Sequence, residues 1–129
     1  MKFLIAFSDL QSLLKSVDMS HLKKKDTFVL SACAARVFID FKGVVGGLEM
    51  LVLSDGSVKL SAQKFAKLIT TYEGTRFLSF EGGPDGLKIR NFTMPVIAWN
   101  PQPEPPADFK LFPSTALPEA GVKPSFGNR

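Results

Sequence analysis

Two stretches of this chain, residues 2–17 and 57–72, are built on the same plan, and that repetition constrains the fold more than any other feature of the sequence. In the second stretch, SVKLSAQKFAKLITTY, Val58 and Leu60 alternate with Lys59 as in a short strand, and Ser61 then opens a helix as its N-cap. At about 100° per residue, Ala62, Phe65, Ala66, Leu68, Ile69 and Tyr72 fall on one side of that helix. Gln63, Lys64, Lys67, Thr70 and Thr71 fall on the other. The first stretch repeats the plan. KFLIA reads as a strand, Ser8 as a helix cap, and Asp9 suits the positive end of the helix dipole. Leu10, Leu13, Leu14 and Val17 form the apolar face, and Gln11, Ser12, Lys15, Ser16 and Asp18 the polar one.

Strand signals follow each helix. Thr27–Cys33 and Arg36–Phe41 are rich in β-formers, and the second alternates with one apolar exception, Phe38. Gly43, Gly46 and Gly47 punctuate a turn, Leu48–Leu53 reads as a third strand, and Asp55-Gly56 closes it. In the second half Gly74 is the natural C′ residue of the helix. Strands are expected over Arg76–Glu81, Leu87–Arg90 and Phe92–Trp99, with a turn at 82–86. Pro95 within the last strand argues for a sheet edge. Both halves therefore read β-α-β-β-β. The expected architecture is α+β, a domain over 1–99 made of units 1–56 and 57–99 related by a pseudo-two-fold.

From Asn100 the composition changes. Residues 100–129 hold seven of the nine prolines and show no periodicity, which predicts an extended or disordered tail. Phe109, Leu111 and Phe112 are its apolar candidates for binding. They either dock the tail onto the domain, covering apolar edges that a small domain leaves open, or form a short linear motif for a partner.

Composition narrows the function classes. An apolar content of 45% with 22% charged residues is that of a globular domain with a core of its own. The net charge of +4 is unevenly placed: residues 57–99 carry six Lys/Arg against three Asp/Glu, while residues 1–56 carry seven against six. That surplus weakly favours an anionic partner. Cys33 is the single cysteine, so no intrachain disulfide is possible and a reducing cytoplasm fits. No apolar run approaches the roughly 20 residues of a membrane span, and MKFLIAF is too short for a signal-peptide core. His21 has no second His or Cys at ligand spacing, so no metal site is expected. Lys23, Lys24 and Lys25 form either a solvated loop or a phosphate-contacting corner. The glycines fit hairpin turns better than a phosphate loop, and no carboxylate pair or activated nucleophile stands out. The expectation is a protein that is not an enzyme, with no cofactor and no small-molecule substrate.

The segment KLSAQKFAKLITTYEGTRFLSFEGGPDGLKIRNF resembles the second half of the first domain of the bacterial replicative sliding clamp, the β subunit of DNA polymerase III. There too a strand runs into Ala-x-Lys-hydrophobic, matched here by Ala62, Lys64 and Phe65, and a helix, a short turn and two strands with a Gly-rich turn follow. Pro105-Pro106-Ala107-Asp108-Phe109 is similar to the Pro-Ala-x-Asp-Phe-Pro stretch that leaves that domain, with Lys110 where the proline would be. MKFLIAFSDLQSLLKSV is similar to the clamp's opening strand and helix, so the resemblance spans roughly residues 1–109. It implies two helices side by side on curved sheets, and domains joined edge to edge into a ring whose helices attract DNA phosphates without reading bases. Carried over residue by residue, Lys15, Lys64 and Lys67 would meet double-stranded DNA, with Gln11 and Gln63 as neutral donors and Lys23, Lys24 and Lys25 beside them.

The departures from the family set the alternatives. A bacterial clamp chain has three such domains and this chain has one, so the usual ring would need a homohexamer. Pro95 removes a ladder donor, and the family's peptide-binding pocket belongs to other domains, so no partner pocket is carried over. Two readings follow. The first is a clamp-like protein of replication or repair that associates with DNA irrespective of sequence, alone or as an oligomeric ring. The second is a clamp-fold interaction module, a replication or mobile-element accessory, that pairs a sheet edge or its tail with a partner and does not bind DNA. A third, an unrelated α+β binding domain, holds only if the repeat is coincidental.

Overall fold

A computed structural model describes residues 1–112. The chain runs β1 (Lys2–Ala6), α1 (Phe7–Ser16), β2 (Thr27–Cys33), β3 (Arg36–Phe41), β4 (Val44–Glu49) and β5 (Val52–Ser54). The plan then repeats as β6 (Gly56–Ser61), α2 (Ala62–Thr70), β7 (Phe77–Gly83), β8 (Gly86–Ile89), β9 (Phe92–Met94) and β10 (Ala98–Asn100), followed by β11 (Lys110–Phe112). The strands form two sheets, ordered β5-β1-β7-β8-β9 and β10-β6-β2-β3-β4-β11. All pairings are antiparallel except β11 on β4, which is parallel. This is the expected α+β architecture with its internal two-fold. The expected tail beyond Phe112 lies outside the described residues.

The units are interleaved rather than juxtaposed. Unit one contributes β1 and β5 to the sheet of β7–β9, and unit two contributes β6 and β10 to the sheet of β2–β4. The cause is local. The expected single strand Leu48–Leu53 breaks at Met50-Leu51, and the expected strand Phe92–Trp99 breaks at residues 95–97. After each break the chain crosses to the opposite sheet and pairs there, β5 on β1 and β10 on β6. Pro95, expected inside a strand, therefore sits in the crossover, where the absent N–H costs no ladder bond.

Three further local expectations are corrected. Ser8 does not cap α1: the helix starts at Phe7, Ala6 is the N-cap, and its side chain makes no cap bond. The strand runs directly into the helix because the Phe7 N–H donates to the Arg76 carbonyl at 2.9 Å and the Phe7 ring is buried. Gly46 and Gly47 are not turn residues; they lie inside β4, and only Gly43, with φ +82°, sits in the turn. Ser61 does cap α2, accepting from the Lys64 N–H at 3.4 Å. Gly74 does take a left-handed conformation, φ +93°, but three residues past the cap Thr71 and not at C′.

The core lies between the sheets and beneath the helices. Phe3 of β1 stacks on Phe80 of β7 at 4.9 Å, Phe80 leans on Phe65 of α2 at 6.3 Å, and Phe65 meets Phe28 of β2 edge-on at 4.9 Å. Phe65 is fully buried, and together these rings tie both sheets to one helix. Complete burial of such a ring stabilises the fold by roughly 1.5–3 kcal/mol.

Candidate functional site

The helices bury the faces that periodicity assigns to the core. Leu10, Leu13 and Val17 are buried beneath α1, and Ala62, Phe65 and Ile69 beneath α2. The opposite faces are exposed at Ser8, Gln11, Ser12 and Lys15 on α1 and at Lys64, Lys67 and Thr70 on α2. No carboxylate stands among them: Asp18, expected on the polar face of α1, is exposed two residues past the end of the helix. Asp9, the one acid within a helix, is buried.

Lys23, Lys24 and Lys25 are exposed in the loop between α1 and β2. That loop is held against α2, since the Gln63 Nε2 donates to the Leu22 carbonyl at 3.4 Å and the Ala62 N–H to the Asp26 carbonyl at 2.9 Å. Gln63, a candidate phosphate donor in the sequence, thus has a structural use. Asp26 organises the loop: its Oδ2 accepts from the Lys23 N–H at 2.8 Å and lies 3.6 Å from the Lys42 ammonium. The hydrogen bond from Lys23, helped by the Lys42 charge, holds the Asp26 carboxyl below its ordinary pKa. Among the described residues, neither Lys15 nor Lys23, Lys24, Lys25, Lys64 or Lys67 forms an ion pair. Six ammonium groups outside ion pairs therefore stand on the helix faces and the adjoining loop, the Lys23 charge also acting on Asp26.

The tail candidates separate. Phe109 is half-buried, its ring edge-on to Phe38 at 4.8 Å and 5.7 Å from the Arg36 guanidinium carbon. A side chain on Gly47 would approach the Phe109 ring to 3.1 Å, so glycine there makes the seat. Arg36 is further placed by Glu49 at 3.9 Å. Leu111 pairs with Gly47 along β4 but is 39% exposed. Phe112 pairs through its backbone with Leu48, and its side chain lies outside the described residues. The seat was not assigned from the sequence, although Phe38, the one break in the β3 alternation, is its signal: the apolar residue on the outward face is what Phe109 covers.

Cys33 is buried, and burial pushes its thiol pKa up, away from a reactive thiolate. Among the described residues no three His, Cys, Asp or Glu side chains gather to hold a metal, and no helix is long and apolar enough to cross a membrane.

Two interleaved units, each a strand and a helix followed by a meander that ends in the opposite sheet, define a clamp-fold domain. Solved structures with this fold include the β clamp of Helicobacter pylori in complex with carprofen, at TM-score 0.66 and 20% identity over 84% of this chain and 32% of that one. The H. pylori β clamp bound to a DNA ligase peptide matches at TM-score 0.64 and 19% identity, over 76% and 30%. The Caulobacter crescentus β sliding clamp matches at 0.56 and 15%, over 84% and 33%. The chain thus spans about a third of the length of the clamps it matches, the extent of a single clamp-like domain. No family model and no curated protein matches the sequence.

Proposed function

We propose that this chain is a non-enzymatic clamp-fold domain that associates with double-stranded DNA irrespective of sequence, through Lys15, Lys64 and Lys67 on its helices and Lys23, Lys24 and Lys25 beside them. The observation that carries this reading is the absence of any carboxylate on the exposed helix faces, together with the six unpaired ammonium groups there and in the adjoining loop. Such a face meets phosphates by charge, with Gln11 as a neutral donor, and phosphate contacts carry no sequence information. Its one copy of the face makes the association weak and reversible. The fold likeness to clamps supports the class of protein, and a role in replication or repair follows from that likeness as part of the proposal.

A self-assembled ring is not part of this reading. The edge that β4 would offer is taken by the three-residue β11, so a neighbour could pair there only with that short strand.

The test is anisotropy of a labelled mixed-sequence duplex. If all six lysines engage phosphates, log K falls against log salt with a slope of about −5 between roughly 50 and 200 mM. Lys64→Glu/Lys67→Glu should weaken binding at least about tenfold and lower that slope by about 2. Binding unchanged by the double reversal would sink the reading. Partner binding that survives it would then favour the interaction-module alternative, which the open outer edge of β9 supports.

A further inference from the structure

The internal two-fold pairs β4 with β9, and the two strands differ at one position in a way that reshapes the surface. In unit one Ile39 pairs with Gly46; in unit two Ile89 pairs with Phe92. Gly46 lies directly under α1, where an added Cβ would come within 2.5 Å of the Ser16 Oγ, 3.1 Å of Leu13 and 3.3 Å of Val17. Counting from the helix starts at Phe7 and Ala62, the α2 counterparts of these three are Thr71, Leu68 and Tyr72. In place of Gly46, unit two has the benzyl side chain of Phe92, 52% exposed. A ring cannot be closed over as a glycine is. A groove of about 460 Å³ remains between the two elements, with Lys64, Lys67, Leu68 and Thr71 on the α2 side. Phe92, Met94 and Pro95 form the other wall.

We propose that this groove, with the outer edge of β9, receives an extended segment of a different protein whose groove-facing positions, every second residue, carry both apolar side chains and carboxylates. The edge is available: β9 is the last strand of its sheet, and among the described residues no strand pairs with its outer side. An extended chain added there satisfies that free ladder and sends alternate side chains towards the groove. The walls set its chemistry. Leu68, Phe92, Met94 and Pro95 ask for apolar side chains, while the lining holds two ammonium groups and no acid. The molecule also illustrates the mode at the matching edge, where β11 lies along β4 with Phe109 seated on Phe38.

A second copy of the chain fits less well by either route. A two-fold β9–β9 pairing would bring two sets of Lys64 and Lys67 together without a compensating carboxylate in the lining. A head-to-tail pairing with the matching edge would meet β11, a strand of only three residues, in place of β4. The inference stands independently of DNA binding. Because Lys64 and Lys67 serve both, the segment would compete with duplex for them.

The experiment uses the full chain and a fluorescein-labelled peptide of about twelve residues in which every second residue is leucine or aspartate in turn, with serine between, beside a control with lysine for aspartate. The acidic peptide is expected to bind at least about tenfold more tightly than the basic one. Phe92→Asp and, separately, Thr71→Glu should each weaken the acidic peptide by about tenfold or more, both positions being exposed enough to keep the fold, which thermal melting verifies. Phe92→Ser, which removes the ring but adds no charge beside Lys64 and Lys67, should shift duplex affinity by less than about twofold. Equal binding of the two peptides, no binding of the acidic one, or indifference to both variants overturns the proposal. A concentration-dependent dimer abolished by Phe92→Asp overturns the choice of partner and makes it a second copy.

Discussion

Asp26 joins three parts of the chain through one residue: its carboxylate takes the Lys23 N–H and faces Lys42, and its carbonyl takes the first N–H of α2. Its pKa lies below the ordinary value, so the folded state favours the charged form. The stabilisation is therefore complete above the unfolded value near pH 4 and is lost as pH falls through the lower folded value. Asp26→Asn should melt with a shallower dependence on pH than the parent between about pH 5 and 2, and a parallel pair of curves would refute the linkage. Phe65 sits at the other extreme, wholly buried between Phe28 and Phe80. Phe65→Ala should cost about 3–5 kcal/mol in urea unfolding, because the interior cannot collapse around a ring held between two sheets. A cost near 1 kcal/mol would mean that the site relaxes.

At the scale of elements, the informative one is β11. Three residues paired in parallel, with one aromatic anchor, make a strand that is easily lifted. Phe109→Ala removes the ring seated on Phe38 and loosens the cover over the β4 edge. A bared β4 edge in one chain and the open β9 edge of another invite pairing between chains. Light scattering of Phe109→Ala should show a mass that rises with concentration, and a strictly monomeric variant would show that β11 is not what keeps the edges apart. Much at this scale was legible. The bounds of β2 and β3 coincide with the β-former runs, and the faces of both helices follow the 3.6-residue period. Hairpin chemistry was less so. Ala34 and Ala35 both take positive φ, 52° and 58°, in the β2–β3 turn, a conformation that no glycine or asparagine announces there.

At the scale of the molecule, interleaving decides cooperativity. Each unit lends its first and last strands to the other's sheet, so residues of neither half bury a complete core by themselves. The intact chain should run as a monomer by native mass at low and at physiological salt, since the strand outside β4 is only the three-residue β11 and like charges flank β9. A hexamer would reinstate the ring and displace the single-domain reading.

What the sequence determined by itself was the repeated strand-to-helix plan, the division of each helix into a core face and a cationic face, and the resemblance to a clamp domain. These are properties of neighbours within a turn or two, where period and side-chain chemistry act directly. The tertiary structure alone decided which sheet each broken third strand joins, that Gly46 and Gly47 serve close packing instead of a turn, and that Phe109 covers Phe38. It also decided that Phe92, standing where its counterpart is a glycine, leaves a groove beside β9. Each of these depends on atoms far apart in the chain meeting at van der Waals distance, and no local pattern encodes such a meeting.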